Sequence, residues 1–74
     1  MARPRIEHLT ALQERILSYV RTTIADRGEA PTLEEIGAEV GLGTRSAVHY
    51  QLEQMQRKGV ITREPNRSRG IRLA

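Results

Sequence analysis

A chain of 74 residues, with 12 Lys or Arg against 9 Asp or Glu, has room for one small domain. A domain of this size buries only ~60% of the surface its unfolded form exposes, so its core is thin; without cysteine it has neither a disulfide staple nor a thiolate metal site. No apolar run approaches the ~20 residues of a bilayer span and no signal peptide is visible, while two aromatics, Tyr19 and Tyr50, are too few for a base-stacking platform; the expectation is a cytoplasmic protein with no membrane partner, no cofactor, no metal and no small-molecule ligand.

Residues 1–8, "MARPRIEH", read as a flexible N-terminal arm, because Pro4 discourages an early helix. Arg3 and Arg5 on it are free to touch a phosphate. Residues 9–74 form the domain proper. In "LTALQERILSYVRTTIADRG" the Thr10-x-x-Gln13 spacing is a capping box. Leu12, Ile16, Val20 and Ile24 recur every four residues, which turns one stripe of a helix inward, and Gly28 stops it. "TLEEIGAEVG" opens on a second capping box, Thr32-x-x-Glu35, with Leu33, Ile36 and Val40 as its apolar face. Gly37 costs helix propensity but permits close packing on a neighbour, and Gly41 is the expected C′ residue. After the Leu42-Gly43 turn, Thr44 caps a third helix that runs to about Lys58, where Gly59 ends it, with Val48, Leu52 and Met55 on its buried face. The period then changes. Val60 to Arg63 and Gly70 to Leu73 read as two strands around the turn "EPNR", with Ile71 and Leu73 alternating with Arg72 as in a half-buried strand. The expected fold is mainly α with a small β-hairpin: three helices and a wing.

The third helix opens unusually. Ordinary surface helices favour Glu, Lys and Ala, yet this one begins with Thr44, Arg45, Ser46, His49 and Tyr50. A helix, a tight turn and a second helix within residues 32–58 match the helix-turn-helix pattern, in which the second helix enters a DNA major groove by its N-terminal residues. That groove presents a distinct order of donors, acceptors and methyls for each base pair, and reading it takes varied hydrogen-bonding groups on one exposed arc. Arg45 has the fork for a guanine O6 and N7; Ser46 can donate or accept; Ala47 can meet a thymine methyl; His49 can donate to guanine or phosphate; Tyr50 offers a ring edge and a hydroxyl; Thr44 can divide its hydroxyl between capping and a phosphate. Plainer roles stand beside these: Thr44 as a cap alone, Ala47 as partial core, His49 and Tyr50 as ordinary surface. Arg45 as a mere solvated charge is disfavoured, since cations are unfavourable at a helix N-terminus.

Charge is split along the chain. Residues 1–41 hold five arginines against seven acids, and residues 42–74 hold seven Lys or Arg against two acids. Arg57, Lys58, Arg63, Arg67 and Arg69 gather on the end of the third helix and the hairpin, as expected of a wing that neutralises backbone phosphates. Arg72 reads equally as a charge guarding an edge strand.

The runs "LTALQERIL", "GEAPTLEEIGAEVGL", "SAVHYQLEQMQRKGVI" and "SRGIRL" resemble the N-terminal DNA-binding domain of the LexA repressor family over residues 9–73. The resemblance implies a three-helix winged helix-turn-helix that binds a pseudo-palindromic operator in double-stranded DNA as a homodimer and represses bacterial DNA-damage-response genes. It puts the base-reading positions on Thr44, Ser46, Ala47, His49 and Tyr50. The family also has a C-terminal domain that dimerises and cleaves itself with a Ser–Lys pair. The single lysine here, Lys58, lies in the DNA-binding part, so no such chemistry is expected in these residues, which read either as a fragment of a longer repressor or as a stand-alone relative that binds a half-site weakly. Two other classes compete. A winged helix used as a protein-interaction module would want an exposed apolar patch. An enzyme would want a nucleophile–base pair, paired carboxylates or a metal cluster, and Glu34-Glu35 is better assigned to a helix start.

Overall fold

The computed structural model describes residues 8–74. Of the arm expected over residues 1–8, all but His8 lies outside the described residues, Arg3 and Arg5 included. Helices α1 (Ala11–Arg27), α2 (Leu33–Val40) and α3 (Arg45–Arg57) are followed by strands β1 (Ile61–Arg63) and β2 (Ile71–Leu73). This is the architecture of a winged helix-turn-helix.

Local chemistry sets the helix ends. The Thr10 hydroxyl accepts from the Gln13 amide at 3.1 Å, and the Gln13 side chain accepts from the Thr10 amide at 3.2 Å. Thr32 and Glu35 repeat the exchange at 3.1 and 2.9 Å. Two orphan N–H groups are thereby satisfied at each start, a device whose loss typically costs ~1 kcal/mol. The helices close on the expected glycines, where the Gly28 amide donates to the Ile24 carbonyl and the Gly41 amide to the Gly37 carbonyl, both at 2.8 Å.

The core draws on every element: Ile16 and Val20 from α1, Ile36 and Val40 from α2, Val48, Leu52 and Met55 from α3, Ile61 and Ile71 from the hairpin. The α1 stripe is narrower than its spacing suggests, because Leu12 and Ile24 are only half-buried while Leu17 joins the core. Gly37 sets the approach of α2 to α3. A Cβ there would fall 2.9 Å from the Leu42 carbonyl oxygen and 3.3 Å from a Val48 methyl, so only glycine lets the turn close over the helix.

The strands pair antiparallel, with Ile61 opposite Leu73, Thr62 opposite Arg72 and Arg63 opposite Ile71. Only half of the expected β2 alternation buries: Ile71 is 5% exposed but Leu73 is 40% exposed. The sheet has two strands, and β1 is the one that packs along α3. Leu73 therefore lies at the end of the outer strand, where the helices no longer cover it. Among the described residues no helix is long and apolar enough to cross a membrane.

Candidate nucleic-acid interface

The start of α3 is built by its cap. Thr44 has extended backbone and its hydroxyl accepts from the Ala47 amide at 3.1 Å. The hydroxyl keeps its own proton to donate elsewhere, so capping leaves Thr44 able to touch a ligand. Val48 and Leu52 are turned inward, which leaves Arg45, Ser46, His49 and Tyr50 exposed and Ala47 half-buried. Arg45 with His49, and Ser46 with Tyr50, are pairs four residues apart, so the exposed groups form two adjacent rows. Tyr50 is 58% exposed, a large ring held in solvent. The first turn of α3 contains no acid.

The wing folds back toward these rows. Between the strands the chain turns at Pro65-Asn66, with Asn66 in the left-handed region (φ 66°), and the Glu64 amide donates to the Gly70 carbonyl at 2.9 Å. A Cβ on Gly70 would lie 2.7 Å from the Glu64 carbonyl oxygen, so the loop can double back this tightly only over a glycine. The fold brings Arg63 to His49, with Nη1 and Nε2 3.4 Å apart. Arg45, His49, Arg63 and Arg67 then share a cleft of about 410 Å³ between α2–α3 and the wing, which Glu34 and Glu64 also line. Four residues singled out from the sequence thus line one groove. Arg57 stands apart on the last turn of α3, 3.8 Å from Glu53. Glu64 takes two cations, Arg72 at 2.7 Å and Arg67 at 3.4 Å. These arginines are about 70% exposed, and exposed pairs of this kind are worth ~0–1 kcal/mol.

Two residues expected to contact phosphate are committed elsewhere. Arg69 was expected near the wing tip. Its guanidinium instead donates to the Ala30 carbonyl at 2.9 Å and to both Glu35 oxygens at 3.1 and 3.4 Å, with Glu29 3.7 Å away. It clamps the wing to the α1–α2 connection, because the loop that doubles back at Gly70 turns this side chain toward the body. Lys58 donates from Nζ to the His8 carbonyl at 2.8 Å and to Gln13 Oε1 at 2.7 Å. Gln13, which is 4% exposed, also donates to Gln51 at 3.0 Å, so one side chain caps α1 and ties it to α3. A third departure concerns Arg45: its Nη1 lies 2.6 Å from Glu34 Oε2, a partner that sequence had given only to the start of α2.

The Arg69 clamp is linked to pH. The Thr32 amide and then the Arg69 guanidinium hold the Glu35 carboxyl below the usual carboxylate range, and Glu35 in turn raises Arg69. A depressed folded-state pKa means that the contribution is complete at neutral pH and is lost as pH falls through the folded value. Glu35→Gln keeps an oxygen for the capping box but removes the charge and the second acceptor that meets Arg69. The variant should be less stable than the parent near pH 7 and converge with it as pH falls through the depressed folded-state value of Glu35, as read from urea midpoints.

Residues 6–70 match the model of the family described as LexA DNA binding domain. The chain is similar to LexA repressor 2 of Nocardia farcinica, 43% identical over 63 residues that cover 85% of this chain and 26% of that protein. It is 46% identical to the LexA repressor of Mycobacterium ulcerans over 63 residues, again 85% of this chain and 26% of the relative. Against the LexA repressor of Sorangium cellulosum it is 42% identical over 67 residues, 90% of this chain and 29% of the relative. The chain thus spans under a third of the length of these repressors.

Proposed function

The chain belongs to the LexA DNA-binding domain family, and on that premise we propose that it is a sequence-preferring binder of double-stranded DNA that acts as a transcriptional repressor in the bacterial cytoplasm. Residues 9–74 are the DNA-binding domain. The start of α3 enters the major groove. Arg45 forks onto a guanine, Ser46 and His49 exchange hydrogen bonds with base edges, Ala47 and Tyr50 meet thymine methyls, and Thr44 donates to a phosphate. Arg63 and Arg67 neutralise phosphates from the wing, with Arg57 on the flank. Arg69 and Lys58 act one step back, by holding the wing and α1 against α3.

The observation that carries this reading is the shared cleft: an exposed helix start with no acid in its first turn, facing a hairpin on which Arg67 has only a weak surface partner. The names of the relatives support repression. Control of DNA-damage-response genes, a pseudo-palindromic operator and two copies bound side by side are the finer parts of the proposal.

Selection of duplexes from a random pool at low salt is the test. We expect enrichment of one short half-site, with a second inverted copy at a fixed number of helical turns. A retained pool that stays random would remove sequence preference, and an empty one would remove DNA binding itself.

A further inference from the structure

We propose that Glu34 is a specificity-determining residue that acts through Arg45, converting it from a phosphate-seeking cation into a base reader; the proposal rests on the major-groove role assigned to α3. The two side chains come from the first turns of successive helices, and each is 68% exposed. They meet at 2.6 Å across the seam where Gly37 brings α2 and α3 together. Glu34 engages only Nη1. No second protein acceptor meets this guanidinium among the described residues, so the edge formed by Nε and Nη2 stays available for a bidentate contact.

Two consequences follow from the charges. An unpaired arginine on a flexible stem would find the nearest phosphate, and a phosphate contact carries no sequence information. Paired with Glu34 at 2.6 Å, Arg45 has its charge offset and that attraction weakened, while the carboxylate biases its rotamers and presents its free edge. The carboxylate also stands beside the phosphate track and lowers affinity for any duplex. Glu34 therefore trades general affinity for discrimination.

The expected results are quantitative. Each neutralised phosphate adds about 0.9 to the slope of log affinity against log salt. Glu34→Gln frees the cation, so the slope should steepen by about that amount, random-duplex affinity should rise severalfold, and the ratio of selected to random affinity should fall by about tenfold. Arg45→Ala should lose the same ratio, and because it leaves Glu34 unpaired it should also weaken binding to every duplex; the double variant, in which a neutral pair is replaced by neutral residues, should keep the lowered ratio and return to the parent's slope. Circular dichroism melts check that the exposed substitutions leave the fold intact. A Glu34→Gln variant with unaltered slope and ratio, or a double variant whose slope falls a full phosphate below the parent's, would overturn the proposal while leaving DNA binding by α3 standing. Absence of any selected duplex for the parent would overturn both together.

Discussion

Replacing Ser46 with glutamate should make the domain slightly more stable and nearly unable to bind a duplex. Ser46 is exposed, two positions past the Thr44 cap, in a helix whose first turn has no acid. A carboxylate there complements the partial positive charge of the helix N-terminus and contributes about 0.3–1 kcal/mol. In the proposed major-groove position, between two phosphate walls, the same charge meets like charge, which costs several kcal/mol, so duplex affinity should fall by about a hundredfold or more. The opposite signs are the useful part. Thermal melts and a fluorescence-anisotropy titration on the same sample separate a group that serves the fold from one that serves the ligand. If binding survives, the start of α3 is not in the groove. If stability and binding fall together, Ser46 has a packing role that its exposure does not suggest.

The second large effect belongs to the scaffold. Leu52→Ala should cost about 2–5 kcal/mol, the usual range for truncating a fully buried leucine. Leu52 is 0% exposed in the core to which α1, α2, α3 and the hairpin all contribute. A domain of this size has a total stability of roughly 4–11 kcal/mol at ~0.05–0.15 kcal/mol per residue, so one side chain removes a large share of it. The urea midpoint should drop sharply with little change in slope. Leu73→Ala, on a side chain 40% exposed, should shift it far less. Comparable losses at the two positions would mean that the outer strand buries more than its exposure indicates.

What could be read from the sequence was mostly local. Thr10 with Gln13 and Thr32 with Glu35 act over three residues, so their spacing alone predicts both capping boxes and both helix starts. Val48, Leu52 and Met55 share a helix face by periodicity, and the exposed arc opposite follows from the same rule. Gly37 could be read as a close-packing position because a glycine inside a helix demands a reason.

The fate of the cations could not be read in the same way. A run of arginines states a charge, not which carboxylate lies within reach. Arg69 finds Glu35 across 34 residues, and Lys58 finds Gln13 across 45, only because the wing and the last turn of α3 pack where they do. Arg45 and Glu34 are 11 residues apart on different helices, and their meeting depends on the tight approach at Gly37. Gln13 shows the same limit: its capping role was visible, but its bonds to Gln51 and Lys58 were not. Leu73 had the right alternation, yet burial also needs something to pack against, and the outer strand of a two-stranded sheet has little.

The central claim is that the polar start of α3 and the cationic hairpin together form the face that meets DNA. Its most direct test is an amide chemical-shift titration of the ¹⁵N-labelled domain with a duplex from the selection. We expect the largest changes over residues 44–50, a second set over residues 63–68, and little at the exposed acids Glu14, Asp26 and Glu39 on α1 and α2. Shifts centred on those acids, with residues 44–50 silent, would contradict it.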